Sequence, residues 1–298
     1  MPQAASPQKF TRPVLGARAR AGDAFIANVT AAVAQIHANR AGAAAGRDPE
    51  YLHQLRVGMR RLRSTLQACR GLLRREETRR LDRRLRDALR ALGAARDWDV
   101  FERDIGAPAL RRFAHARSEP ARKQARAAAR SAPMRFLPEE VLAWARSRPW
   151  RATSRAGEPI DTFSRRALER ACARLADAAQ DIDWKDAPRR HRVRIRLKRL
   201  RYACDCFAAA WPEQAQKPFY AKLRNLQNVL GELNDVAVQR RMLQQMVESG
   251  APARAATRAT GLLARRERGL FAKLRRAWAG FAAVSPYWRA PEAVPAAG

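Results

Sequence analysis

Between residues 52 and 73 the apolar positions Leu52, Leu55, Met59, Leu62, Leu66, Cys69 and Leu73 recur at alternating steps of three and four. That spacing is the seam of a long helix with one face buried. A second seam runs through Val193, Leu197, Leu200, Cys204, Phe207 and Trp211. Alternating strand patterns and β-branched clusters are missing, so the pattern predicts an all-α chain. Periodicity places helices near 23–45, 49–75, 77–95, 97–118 and 121–131, then near 161–181, 187–210, 213–233, 235–248 and 253–282. Short connections between long amphipathic helices predict antiparallel bundles. Residues 147–160, SRPWRATSRAGEPI, hold two prolines and a glycine without an apolar period and are expected to be a linker. The segments 1–20 and 285–298 are expected to be flexible. The chain thus divides into 1–20, a helical half at 21–150, a linker with a second helical half at 151–284, and a tail at 285–298.

The two seams belong to a repeat. Residues 53–63, HQLRVGMRRLR, and 191–201, HRVRIRLKRLR, stand 138 positions apart, from His53 to His191. One offset pairs Arg56 with Arg194, Arg60 with Lys198, Leu62 with Leu200 and Arg63 with Arg201. It also pairs Leu85-Arg86 with Leu223-Arg224, Gly93 with Gly231, Asp97 with Asp235, and Asp23 with Asp161. No gap is needed from residue 23 to residue 100, so the bundles are two homologous halves, one in each half of the chain. Asp97 and Asp235 each precede an apolar-periodic run and are expected to be helix N-caps. Gly93 and Gly231 suit a helix end or a close helix contact.

Charge narrows the choice of partners. With 60 basic residues against 28 acidic ones, the formal net charge is +32. Such a field draws polyanions: nucleic acid, an anionic membrane or a chain of phosphates. Genomic base composition accounts for arginine over lysine, but not for the scarcity of acids. Cys69, Cys172, Cys204 and Cys206 form no C-x-x-C pair and are expected to be small buried hydrophobes in a reducing compartment. No secretory signal or long apolar run is visible, so a cytoplasmic location is expected and membrane insertion is not.

On a helical wheel with His53 at zero, Arg56, Arg60 and Arg63 fall at about 300, 340 and 280 degrees, while the seam falls between about 180 and 240. A basic stripe therefore borders the core. His191, Arg194, Lys198 and Arg201 repeat it; Arg61 and Arg199 lie off it. Like charges one turn apart cost a few tenths of a kcal/mol each, and no acid interrupts either stripe. Arginine forks bind phosphate oxygens in pairs. Arginine stems can also simply cover apolar surface, but that reading weakens when the stripe is kept in both copies.

These residues resemble the CHAD domain, a helical domain named for its conserved histidines. The resemblance rests on H-x-x-R-V-x-x-R-R-L-R at 53–63, H-x-x-R-I-x-x-K-R-L-R-Y at 191–202, LGAARDWDV at 92–100 and LGELNDVAV at 230–238. It runs from about 20 to 285. It implies two helical bundles related by a pseudo-two-fold axis. It implies non-catalytic binding of inorganic polyphosphate by His53, Arg56, Arg60, Arg63, His191, Arg194, Lys198 and Arg201, with Arg86 and Arg224 added from the matched third helices. Some relatives carry an N-terminal triphosphatase domain with an E-x-E-x-K strand. That motif is missing here, so the helical module is expected to stand alone, with polyphosphate granules as an implied location.

Other chemistry finds little footing. The histidines at 37, 53, 115 and 191 form no H-E-x-x-H spacing, and no Walker or G-x-G-x-x-G loop occurs. No enzyme activity, metal or cofactor is therefore expected. Arg190-His191 faintly resembles a phosphohistidine phosphatase pair, a fold that needs a sheet. The seven tryptophans do not interleave with the stripe and are expected in cores or interfaces. A nucleic-acid binder is the alternative to a polyphosphate binder, and a scaffold with a protein partner is a third reading.

Overall fold

The computed structural model describes residues 6–16 and 18–289. The parts of the expected flexible segments at 1–5 and 290–298 lie outside the described residues. The described chain is helical, with two isolated bridges and no strand. In order the helices are α1 (Ala21–Ala45), α2 (Pro49–Ala68), α3 (Arg75–Ala91), α4 (Gly93–Asp104), α5 (Pro108–Arg130), α6 (Ala132–Arg146), α7 (Ile160–Ala179), α8 (Ala187–Cys206), α9 (Glu213–Glu248) and α10 (Ala253–Ala282).

The repeat survives in the elements. Shifted by 138, the bounds of α2 fall on those of α8. The same cap opens both. Asp48 accepts from the Glu50 amide at 2.7 Å, and Asp186 accepts from the Arg189 amide at 2.9 Å. A proline within the first two positions supplies the fixed φ of a first turn.

Several boundaries depart from the sequence pattern. Asp97 and Asp235 cap nothing: each lies inside a helix, α4 and α9 respectively. The helices expected at 213–233 and 235–248 are one continuous α9, because Leu230, Leu233 and Val236 keep one buried row across the supposed break. In the first half the break is real but comes earlier, at Leu92. Pro120 does not end a helix. It sits within α5, whose buried row Leu110, Ala114, Ser118, Ala125 and Ala129 carries across it. α6 was not anticipated. α2 ends at Ala68, and Leu72 and Leu73 are buried from the following turn.

Packing unites the halves. One hydrophobic cluster contains Phe25, Leu55, Met59 and Leu62 from the first half together with Leu197, Leu200, Leu223 and Trp288 from the second. α2 lies against α8, and Asn28 of α1 donates to the Cys206 carbonyl at 3.0 Å. A smaller cluster of Phe101, Leu110, Met242 and Met246 joins the far ends. The linker is pinned at both ends: Leu73 bridges to Trp150, and Arg20 to Pro159.

The flanking segments are less free than expected. Residues 287–289 form a 3-10 turn in which Trp288 is fully buried, 4.9 Å from the Phe219 ring. At the other end Gln8 exchanges hydrogen bonds with Asn39, and Phe10 lies beneath the Arg61 guanidinium at 4.1 Å. Aromatic and amide anchors hold these stretches where proline and alanine content suggested none.

Candidate functional site

The two basic stripes meet where α2 crosses α8. Arg60 Nη1 lies 3.5 Å from the Tyr202 hydroxyl of the other half. Arg56, Arg60, Arg194 and Lys198 are all half-buried there. Arg56 reaches the α3–α4 junction and donates to the Leu89 carbonyl at 3.2 Å. Arg194 keeps its Nε buried with no hydrogen-bond partner among the described residues.

The electrostatics of these groups follow from the same crowding. Burial, then Arg194 and Arg60, push Lys198 down to about 7. Burial and then Arg60 lower Arg56 to about 10. Arg194 falls below the ordinary arginine range through burial, with Arg60 contributing and Asp235 opposing. Arg60, on one half, thus acts on two bases of the other. His53 is held below the usual imidazole range by burial and then by Arg96. Burial first, and mutual repulsion second, lower the proton affinity of this set of cations.

Two carboxylates sit among them. Asp97 of α4 lies in the field of Arg56, and Asp235 of α9 in the fields of Arg194 and Lys198. Asp97 is raised by partial desolvation, opposed by Arg56 and reinforced by Asp235, so the two acids also feel each other. Both were expected as caps; their place in the 138-residue repeat was the signal that they belong with the stripes.

Not every expected residue joins the cluster. Arg63 is engaged by Asp82 in a bidentate pair at 2.8 and 3.2 Å. Arg201 lies over the Tyr202 ring and 3.8 Å from Asp205, and reaches the cluster only as a minor repulsion on Lys198. Arg86 sits on α3, its Nε 3.7 Å from Asp87. His191 and Arg224 are exposed, and no described contact ties them to the cluster. Asp99 pairs with Arg122 at 3.4 Å, away from any metal-like grouping. Among the described residues no three His, Cys, Asp or Glu side chains come together as a metal site.

Comparison with known proteins decides the family. The family model described as the CHAD domain matches residues 27–244. The chain belongs to the CHAD domain family. The crystal structure of the CHAD domain from the plant Ricinus communis is similar at 28% identity, with a TM-score of 0.80, covering 94% of this chain and 98% of that one. PptA from Streptomyces chartreusis shares the fold at 17% identity and a TM-score of 0.65, covering 89% and 98%. No curated protein matches. Within this CHAD chain, the matched region contains α2, α8 and both stripes. Among its described residues, no helix is long and apolar enough to cross a membrane.

Proposed function

We propose that this CHAD chain binds inorganic polyphosphate, without catalysis, across the joined stripes. The observation that carries the reading is the position of Arg60, beside Tyr202 and in the field of Arg194 and Lys198. Stripes from two halves form one basic surface, suited to a ligand that is itself a repeating anion. The orphaned Nε of Arg194 is a donor awaiting an acceptor. Arg56, Arg60, Arg194 and Lys198 hold the phosphates, and Asp97 and Asp235 limit the repulsion between cations when no anion is bound. What the family resemblance implies agrees with this chemistry. A cytoplasmic location, with association with polyphosphate granules, belongs to the same proposal.

Arg56→Glu and Arg60→Glu combined with Arg194→Glu and Lys198→Glu tests it. Long-chain polyphosphate affinity should fall at least tenfold while the helical circular dichroism stays intact. Wild-type affinity in the variant sinks the assignment. The net charge of +32 also favours nucleic acid. Both anions give steep salt dependence, so competition separates them. Duplex DNA displacing labelled polyphosphate equally well at matched charge favours the nucleic-acid reading.

A further inference from the structure

A second basic feature lies apart from the joined stripes. Between α3, α7, α8 and the linker opens a cavity of about 840 Å³, lined by eleven arginines and a single acid, Asp82. Asp82 is already engaged by Arg63 and Gln67. On α3, Arg75, Arg79 and Arg83 line the cavity at steps of four; on α7, Arg166, Arg170 and Arg174 do the same. Each row is a ladder with rungs about 6 Å apart. Arg196 and Arg199 of α8 close the space between them. Of the lining arginines only Arg155 and Arg166 have a carboxylate partner among the described residues, Glu158 in both cases.

The cleft draws its walls from both halves, and the positions 138 residues away, on α1, α2 and the start of α9, do not repeat its arginines except at Arg61, which matches Arg199. The positions 138 residues before Arg166, Arg170 and Arg174 hold Asn28, Ala32 and Ile36, all buried. The position matching Arg196 is Gly58, where a Cβ would come within 2.9 Å of the Ile36 side chain. Those matching Arg75, Arg79 and Arg83 are Glu213, Lys217 and Ala221. The partner of Arg61 is Asp205, at 3.4 Å, but the position matching Asp205 is Gln67. Arg61 is also covered by Phe10. One junction between the halves is packed shut around Asn28, Ala32, Ile36 and Gly58; the other is opened and filled with guanidinium groups. A genome-wide preference for arginine acts on both halves alike and does not produce this difference.

We propose that the cleft is a second anion site, separate from the joined stripes, for a ligand carrying several closely spaced phosphates. The cavity volume lies in the range of small-ligand sites, and paired guanidinium ladders suit clustered phosphate oxygens. Burial, then neighbouring arginines, lower the proton affinity of Arg70, Arg170 and Arg199, with Asp82 opposing at Arg199. The ligand is either a stretch of polyphosphate or a free, multiply phosphorylated small molecule. The proposal does not rest on the polyphosphate reading of the stripes.

Calorimetric titration with tripolyphosphate and with myo-inositol hexakisphosphate tests it on four proteins beside the wild type. These are Arg170→Glu with Arg174→Glu; the milder Arg170→Gln with Arg174→Gln; Arg56→Glu with Arg60→Glu in the stripe; and Arg254→Glu with Arg258→Glu on the exposed face of α10 as a charge control. The wild type should show two classes of site. Both cleft variants should lose one class, weakened at least tenfold, and keep the other. The stripe variant should keep the class that the cleft variants lose. Failure of the stripe reading alone leaves that class untouched and shows only in the stripe variant. Wild-type binding in the folded Gln variant, or an equal loss in the α10 control, overturns the cleft assignment. In the stripe variant, displacement of labelled inositol hexakisphosphate that strengthens with polyphosphate chain length identifies polyphosphate as the occupant. Displacement independent of length identifies the compact ligand.

Discussion

Replacing Lys198 by arginine should flatten the pH dependence of anion binding. In the anion-free protein Lys198 titrates at about 7, against an ordinary 10.5, chiefly because it is buried and secondarily because Arg194 and Arg60 face it. At about 1.4 kcal/mol for each tenfold change in proton affinity, the displacement represents roughly 5 kcal/mol between the two protonation states. A bound polyanion supplies the missing counter-charge and returns the amine toward its ordinary value. Binding therefore takes up protons: about half a proton at pH 7 and nearly a whole one at pH 8. By the same linkage, Lys198 makes affinity about tenfold weaker at pH 8 than at pH 6. Arginine keeps the charge at both values, so the Lys198→Arg protein should lose that tenfold part of the slope. His53, equally present in both proteins, cancels from the comparison. The assay is calorimetry of polyphosphate binding at pH 8 in buffers of different ionisation enthalpy, HEPES and Tris, which counts the protons directly. Zero uptake by the wild type at pH 8, or uptake unchanged in Lys198→Met, refutes the argument that the ligand sits on this amine.

The same lysine affects folding with the opposite sense. Its folded value lies below its unfolded one, so the unfolded chain binds more protons between these values and stability rises with pH, by about 2 kcal/mol from pH 7 to 9. Urea denaturation of wild type and Lys198→Met at both pH values checks this: the methionine variant should lack that increment. Trp288→Ala should cost about 3–5 kcal/mol, the range for an aromatic truncated in a core, because the ring is fully buried against Phe219; a denaturation midpoint within error of wild type would detach residues 287–289 from the fold. Gly42→Ala should destabilise by about 1–3 kcal/mol despite alanine's better helix propensity. Its Cβ would lie 2.4 Å from the buried Tyr51 ring, and thermal unfolding reads the effect.

Sequence pattern and structure agree where a residue's environment is set by its own helix. The seam Leu55, Met59, Leu62 and Leu66 is buried as its period requires, and the basic stripe lies beside it. They part where a distant element decides. Pro120 and Asp235 look like boundaries, yet α5 and α9 continue through them because their buried rows do. Trp288 looks like tail until Phe219 is brought beside it. The meeting of Arg60 with Tyr202 depends on how α2 crosses α8, and no local period encodes a crossing. The cleft was not legible in the sequence: its arginine rows at 75–83 and 166–174 lie among many other arginines, and that they face each other depends on how α3 and α7 pack.

The shared core has a consequence for ancestry. Since α2 packs on α8 and one cluster holds Leu55 with Leu197, a solitary half leaves an oily flank uncovered. A single half would cover that flank by pairing with a second copy of itself, and the tandem chain supplies that partner covalently. Covalent linkage also frees each half from having to match the other. A symmetric pair that acquired Arg196 in place of glycine would have acquired it on both sides; the tandem chain could open one flank and keep the other shut. Fragments 1–150 and 151–298, co-expressed, should therefore reassemble into a soluble pair, whereas either alone should aggregate or self-associate.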